Sequence, residues 1–323
     1  MDFIFFSTFY QKINSADIPI TVGYESCTPK MIKSINDYKG KNMIHSGNWW
    51  NIDPKKRTPE VVLENQEKLF VENRTIGLMS CNVPASFERE DYWNLSPSVR
   101  KKSIQTCLDN ADWALEHQHK KTQILCSLEV TTYEEAREWF HRALDHGHTY
   151  FCRGVAEFLS KPKYRKEGLK KIIEFVIGAQ KVLEGRPFHL SGTASLNLIP
   201  IFAYLGVTSV DGSTPVRSAL GFGTVYLSSG KGVKVSKLPD VPWKCDCQVC
   251  SDKNEDQIYN LLKEDSSKRV MHNLEIWKNK VAEITSRSRE ELKEYIKNLS
   301  RLNKNLKNTW NLVQECLKSH NFE

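Results

Sequence analysis

The sequence has no long hydrophobic run and no basic, apolar leader at its amino terminus. No uninterrupted apolar stretch approaches the roughly 20 residues that a membrane-spanning helix needs. Asp2 is an acid where a signal peptide carries its basic region, and the apolar run at residues 3–6 is too short for such a peptide. We therefore expect a protein that neither spans a membrane nor is secreted.

A disulfide framework is lacking as well. The nine cysteines are an odd number, and secreted disulfide-rich domains use an even number at regular spacings. Scattered single cysteines are typical of reduced thiols in the cytosol, so we expect a cytoplasmic protein. The scattered ones are Cys27, Cys81, Cys107, Cys126, Cys152 and Cys316.

The composition is that of an ordinary folded protein. With 323 residues the chain is long enough to bury a large core, and its 40% hydrophobic and 26% charged content is typical of soluble domains. The formal charge of +7 suits a polyanionic partner. Many enzymes are equally basic, so the charge permits a nucleic-acid partner without establishing one.

Short β-rich runs alternate with amphipathic helical stretches. The apolar residues of 133–147 and of 170–185 follow the one-face stripe of a helix. Such alternation predicts a parallel sheet with helical crossovers, as a closed barrel or an open doubly wound sheet. No G-x-G-x-x-G turn follows an early strand, which favours the barrel. The predicted strands are 18–24, 42–47, 75–80, 122–129, 150–154, 187–192 and 208–211.

The pattern changes after residue 211. Residues 225–236 predict a hairpin that turns at Gly230-Lys231-Gly232, and a cysteine cluster follows it. From about residue 254 onward the chain is predicted to be helical.

The cysteine cluster predicts a metal site. Cys245, Cys247 and Cys250 form C-x-C-x2-C, and His272 follows 22 residues after the last of them. Three thiolates on a turn and one imidazole from a following helix provide the four ligands of a tetrahedral zinc ion. The alternative is that the three cysteines are buried thiols and the histidine is unrelated to them. The close spacing of the cysteines favours a metal site over this alternative. Four protein ligands close the site, so we expect structural zinc that joins the hairpin to the C-terminal helices.

The segment around Asp211 carries a family resemblance. A strand ends at this acid, and Pro215 and Arg217 follow it by four and six residues. Together with the zinc cluster and the triplet His272-Asn273-Leu274, this segment resembles the tRNA-guanine transglycosylase superfamily. The resemblance is strongest over residues 187–277 and weaker, though in order, from about 40 to 154. Without it, Asp211 would be read as an ordinary Asp-Gly turn acid.

The resemblance implies an architecture. It is an α/β fold, a (βα)8 TIM barrel with an inserted Cys3His zinc-binding subdomain and C-terminal helices. The implied divisions are a catalytic barrel over 1–240, the zinc-binding subdomain over 241–277, and helices packing on the barrel over 278–323. Asp211 would lie at the carboxyl end of a barrel strand, where such enzymes keep their chemistry.

The resemblance also implies roles for residues on other strands. Asp211 would be the nucleophile, and Arg217 would neutralise a nearby phosphate. His45 stands where the family has an aspartate that transfers protons; a packed strand-end histidine is the alternative. The remaining matches concern recognition of the base, through Glu129 in place of a glutamine, Asn82 near a family aspartate, and the backbone of Gly154.

The implied reaction is the replacement of guanine in a nucleic acid through a covalent glycosyl–aspartate intermediate. The departures from the stricter tRNA motifs resemble the paralogues that insert a 7-deazaguanine, such as 7-cyano-7-deazaguanine, into DNA. Those enzymes commonly work with other DNA-modification proteins. DNA is therefore favoured over tRNA as the substrate.

Basic segments fit a polyanionic substrate. Lysines and an arginine crowd residues 161–166 after the fifth predicted strand, and Lys231, Lys234 and Lys237 decorate the hairpin. Solvated lysine faces are the alternative for each. Two other functions stay open: a non-catalytic, zinc-stabilised nucleic-acid-binding paralogue, which the retained Asp211 disfavours, and a hydrolase of small nucleosides, which the basic loops disfavour.

Overall fold

Eight parallel strands close into a barrel, as predicted. The structure is a computed structural model, and it describes residues 3–10, 18–47, 57–84, 95–160, 162–241 and 245–322. Each strand pairs with its neighbours in chain order, and the first strand pairs with the last. The strands are β1 Ile4–Thr8, β2 Ile20–Gly23, β3 Asn42–His45, β4 Thr75–Met79, β5 Gln123–Ser127, β6 Tyr150–Gly154, β7 Phe188–Ser191 and β8 Ser209–Gly212.

Strand β1 is absent from the predicted strands, and the structure corrects that omission. Phe5 packs outward in the main core, whereas Phe6 lies inside the barrel and pairs in register with Asp211. Residues on both faces of β1 are buried, so its sequence, IFFST, lacks the alternation of a half-buried strand. The seven predicted runs are strands β2 to β8.

Helices follow the strands and cover the outside of the barrel. Several begin with a hydroxyl N-cap and a proline in the first turn, as at Thr28-Pro29, Thr58-Pro59 and Ser96-Pro97. The helices are α1 Pro29–Asp37, α2 Pro59–Lys68, α3 Pro97–His117, α4 Tyr133–Asp145, α5 Ala156–Leu159, α6 Arg165–Leu183, α7 Ile199–Tyr204 and α8 Thr214–Phe222. Helix α6 begins earlier than the predicted stretch 170–185, so its first turn contains Arg165 and Lys166.

The middle of the barrel interior is apolar, and the end at the carboxyl termini of the strands is polar. Its apolar cluster contains Phe6, Met43, Met79, Leu125, Tyr150 and Cys152. The carboxyl ends of the strands carry polar side chains instead, which open into a cavity. This division places chemistry at one end of a packed core.

The predicted hairpin is confirmed, with antiparallel strands β9 Thr224–Tyr226 and β10 Gly232–Lys234. The C-terminal helices α10 and α12 pack against α8 and α6, respectively, and Trp277 and Trp310 join the main core. No helix in the described ranges is long and apolar enough to cross a bilayer. The C-terminal helices are α9 Glu255–Glu264, α10 Ser266–Thr285, α11 Arg289–Leu302 and α12 Lys304–Ser319.

Candidate active site and metal centre

A cavity of about 770 Å³ opens at the carboxyl ends of the barrel strands. Its lining residues come from separate strands and from the loops that follow them. Parallel strands end at the same rim, so residues far apart in the sequence meet there. All six residues singled out from the sequence line this cavity: His45, Asn82, Glu129, Gly154, Asp211 and Arg217.

Asp211 is a buried carboxylate with three partners of positive character. Its side chain lies on β8 and the residue is 5% exposed. Burial would raise the pKa of Asp211, but the nearby imidazoles of His189 and His45 and the Gly192 N–H together bring the pKa below its ordinary value. The group is therefore ionised at neutral pH, as a nucleophilic carboxylate must be.

Gly192 donates its backbone N–H to Asp211 Oδ1. Its φ of +85° is rarely adopted by residues with side chains, and a Cβ there would lie 2.9 Å from the Cβ of Ala156. Glycine at this position thus allows the loop after β7 to aim a donor at the carboxylate.

His189 is a site residue that the sequence did not single out. It lies on β7, is fully buried, and places Nε2 3.8 Å from Asp211 Oδ1. That separation is too long for a hydrogen bond, and within the described residues Nε2 has no hydrogen-bond partner. Its Nδ1 lies 2.8 Å from Ser209 Oγ, which holds the ring under the carboxylate. A histidine inside an otherwise apolar strand was the available signal.

His45 is held in one tautomer by its own loop. Its Nδ1 accepts the backbone N–H of Gly47 at 3.0 Å, so a neutral ring carries its proton on Nε2. Gly47 has a φ of +83°, which lets the chain turn back toward the imidazole. The ring is therefore arranged as a proton donor at Nε2.

The amide of Asn82 is oriented by buried neighbours. Its Oδ1 accepts from Arg57 Nη2 at 2.6 Å and from Ser46 Oγ at 2.8 Å, and its Nδ2 donates to Glu129 Oε1. These bonds distinguish the oxygen from the nitrogen of the amide. Arg57, a further residue not predicted from the sequence, thereby supports the cavity wall from behind.

One buried arginine serves two carboxylates beside the cavity. Arg153 Nη1 lies 2.9 Å from Glu129 Oε2 and 2.8 Å from Glu157 Oε1. Burial, opposed by Arg153 and reinforced by the charge of Glu129, raises the pKa of Glu157. Neither Arg153 nor Glu157 was predicted as a site residue. An arginine within the buried strand β6 was the visible signal.

The metal cluster assembles as predicted. Cys245, Cys247, Cys250 and His272 bring their ligand atoms within 4.8 Å of one another, so they could hold a metal ion. The three Sγ atoms lie 3.7, 3.3 and 3.7 Å from His272 Nδ1. Zinc bonds of about 2.3 Å to sulfur and 2.1 Å to nitrogen in a tetrahedron imply about 3.6 Å for this separation. The donor set and its spacing therefore fit zinc.

Groups around the cluster orient the histidine ligand. His272 Nε2 lies 2.8 Å from the Tyr226 carbonyl oxygen and donates to it, which leaves Nδ1 for the metal. The next residue, the fully buried Asn273, accepts from the Tyr226 N–H at 3.0 Å. Helix α10 and the hairpin are thus joined through both backbone polar groups of Tyr226.

Helix α10 also supports the segments around Asp211. Asn273 Nδ2 donates to the Pro215 carbonyl oxygen at 3.0 Å, just after β8. Trp277 Nε1 donates to the Ala194 carbonyl oxygen at 2.8 Å, just after Gly192. The first turn of α8 and the loop after β7, which flank the carboxylate, are therefore both held by the helix that carries His272.

Exposed basic side chains lie at the cavity and on the hairpin region. Arg217 lines the cavity and is exposed. Lys231, Lys234 and Lys237 of the hairpin region are exposed as well. Of the predicted basic run, Lys161 lies outside the described residues, and Lys163 and Lys166 are exposed beyond Ser160, which lines the cavity.

Comparison with known proteins assigns no family: no protein-family model and no curated protein matches the chain. The resemblance to the transglycosylases therefore rests on the residues of this chain, and the function it implies is a proposal.

Proposed function

We propose that the protein is a transglycosylase that replaces guanine in DNA with a 7-deazaguanine such as 7-cyano-7-deazaguanine. The observation that carries the proposal is the ionised carboxylate of Asp211, buried at the end of β8 in a cavity that it shares with His45 and Glu129. A carboxylate at such a place can attack the anomeric carbon of a nucleotide.

The reaction proceeds in two displacements. Asp211 forms a bond to C1′ while the bond from C1′ to guanine N9 breaks, and the electron pair of that bond leaves with the base. His45 gives its Nε2 proton to the leaving guanine, which departs as the neutral base. The incoming base then gives its N9 proton to His45, attacks C1′ and displaces Asp211. Two inversions retain the configuration.

The wall formed by Asn82 and Glu129 suits guanine and its 7-deaza analogues. An ionised carboxylate only accepts hydrogen bonds, and both bases present N1–H and a 2-amino group as donors. The ion pair to Arg153 and the Asn82 amide hold Glu129 in place before a base arrives. Hydrogen-bond acceptors that are held in place in this way favour a base whose edge carries several donors.

Zinc is the proposed metal, with a structural role. Three thiolates and one imidazole complete its coordination and leave no open position for a substrate or water. The bound ion would hold Cys250, in the segment that follows the hairpin, to His272 on α10, which supports the first turn of α8 at Pro215 and the loop at Ala194.

DNA is the proposed polymer, supported by the exposed Arg217 that lines the cavity and by the departures from the stricter tRNA motifs. A guanine must leave its stack to reach a barrel cavity, and Arg217 at the rim is placed to meet a phosphate beside it.

The test is incubation of the purified protein with radiolabelled 7-cyano-7-deazaguanine and either duplex DNA or tRNA. We expect label in DNA and release of guanine in equal amount. Label in tRNA alone would show that the enzyme acts on RNA. Binding of DNA without any exchange would favour the non-catalytic paralogue.

Replacing His189 by phenylalanine is expected to move the acid limb of the pH profile of kcat/KM to higher pH. Without the imidazole, burial raises the pKa of Asp211 against weaker opposition from His45 and Gly192. In the wild type, the lowered pKa of Asp211 stabilises the fold above the pKa of the unfolded chain, and this contribution is lost as the pH falls through the folded pKa. In His189→Phe this contribution to the free energy of unfolding should be smaller. Urea unfolding at several pH values measures it.

The matched control is His148→Phe, which replaces an equally buried histidine away from the cavity. It should leave the acid limb in place. An unshifted limb in His189→Phe would show that His189 does not control the ionisation of Asp211.

A further inference from the structure

A second cavity adjoins the candidate active site. It encloses about 670 Å³ between the first turns of α6, the loop after β7, and α12. Leu159 lines both cavities, so the two are adjacent. The volume lies within the roughly 300–1,000 Å³ of small-molecule sites. We call it the asparagine cleft; its polar lining is Arg165, Lys166, Ser195, Asn197, Asn305, Asn308, Thr309, Asn311 and Glu315.

The face that α12 turns to the cleft is rich in amides. Asn305, Asn308, Thr309 and Leu312 follow the i, i+3, i+4, i+7 stripe of one helix face, and Asn311 lies beside it. Asparagine is a weak helix former because its side chain competes for backbone hydrogen bonds.

These amides are not used by the protein itself. In the described part of the chain, the side chains of Asn305, Asn308 and Asn311 make no hydrogen bond to another protein group, and all three are exposed. Residues that weaken a helix without a compensating contact are expected where a ligand binds.

Two cations stand at the opposite wall of the cleft. Arg165 and Lys166 occupy the first turn of α6, where positive charge opposes the helix dipole. Both are exposed, and neither forms an ion pair within the described residues. A ligand anion there would be stabilised by both side chains and by the helix terminus. The lining also contains the buried side chains of Leu198 and Leu306, which we call the leucine floor.

We propose, resting on the proposed function, that the asparagine cleft binds a DNA nucleotide next to the exchanged guanine. The asparagine amides would read its base edge, the leucine floor would receive the base face, and Arg165 and Lys166 would neutralise its phosphate. Amides pair with base edges and cations with phosphates in protein–DNA complexes. The cleft would then decide which guanines in a sequence are exchanged.

The test is the triple variant Asn305→Ala/Asn308→Ala/Asn311→Ala. Alanine is the stronger helix former, so α12 should be retained and the melting temperature should not fall. A fluorescent single-stranded DNA pool with one central guanine and randomised flanks is bound to the protein, and the bound fraction is sequenced. We expect the wild type to enrich particular flanking bases. The variant should lose that enrichment and bind the enriched sequence about tenfold more weakly. The control Asn298→Ala, at an exposed position of α11, should keep both the enrichment of flanking bases and the affinity for the enriched sequence.

The outcomes separate the two proposals. An unchanged flank preference in the triple variant, or none in the wild type, would overturn the cleft assignment even if exchange proceeds. Enrichment that the triple variant loses would support the cleft even if the wild type exchanges no base. Enrichment from a matched RNA pool alone would overturn the assignment to DNA.

Discussion

Asp211→Asn is expected to lower the rate of base exchange by at least about 10⁴-fold without unfolding the protein. Asparagine has nearly the shape of aspartate, and its side-chain oxygen can still accept the Gly192 N–H. A neutral amide cannot displace guanine from C1′, because it lacks the charge of the carboxylate. Single-turnover incorporation of labelled 7-cyano-7-deazaguanine into DNA measures the loss, and a melting curve checks the fold.

The covalent intermediate gives an independent readout of the same variant. Wild-type protein denatured without an incoming base should retain labelled DNA, and Asp211→Asn should retain none. The control Asp240→Asn changes an exposed acid outside the cavity and should behave as wild type. An adduct of undiminished yield in Asp211→Asn would exclude Asp211 as the nucleophile.

Cys250→Ala is expected to release the zinc and to lower the free energy of unfolding by about 4–5 kcal/mol or more, the range reached on loss of a structural metal. Cys250 is buried in the small core beneath the hairpin, so its loss removes a metal ligand and a packed side chain together. Zinc per chain by elemental analysis and urea unfolding measure the two effects.

Exchange should fall together with stability in this variant, because α10 supports the first turn of α8 at Pro215 and the loop at Ala194. The control Cys27→Ala removes a partly exposed cysteine outside the cluster and should keep its zinc and nearly all of its stability. Chelation of the wild type that leaves both stability and exchange unchanged would contradict a structural zinc.

The candidate site divides into residues that a pattern reveals and residues that only packing reveals. Asp211, Pro215 and Arg217 stand in a recognisable register, and Cys245 with its neighbours has the spacing of a metal knuckle. The register of the first three is recognised through the family resemblance, whereas the three cysteines lie within six residues and indicate a metal site by their spacing alone. His189 is a polar residue in a largely apolar strand, but nothing in that strand indicates that Asp211 lies across the ladder.

The partners of the buried charges also cannot be predicted from the sequence. Arg153 binds Glu129 in the loop after the neighbouring strand and Glu157 on the following helix, and Arg57 reaches Asn82 from a segment distant in the sequence. These partners become neighbours only when the barrel closes. In the sequence alone, each arginine could pair with any of many polar or acidic residues, so its actual partner cannot be predicted.

The sequence by itself determined the strand–helix alternation and the spacing of the cysteine cluster, because both patterns can be read along the chain. The family resemblance of its segment indicated Asp211. Only the tertiary structure decided that Phe6 belongs to a first strand that closes the ring, that His189 lies beneath the carboxylate, and that an amide-lined cleft adjoins the cavity. The physical reason is that burial and electrostatic environment depend on which elements pack together, and that is settled when β1 pairs with β8.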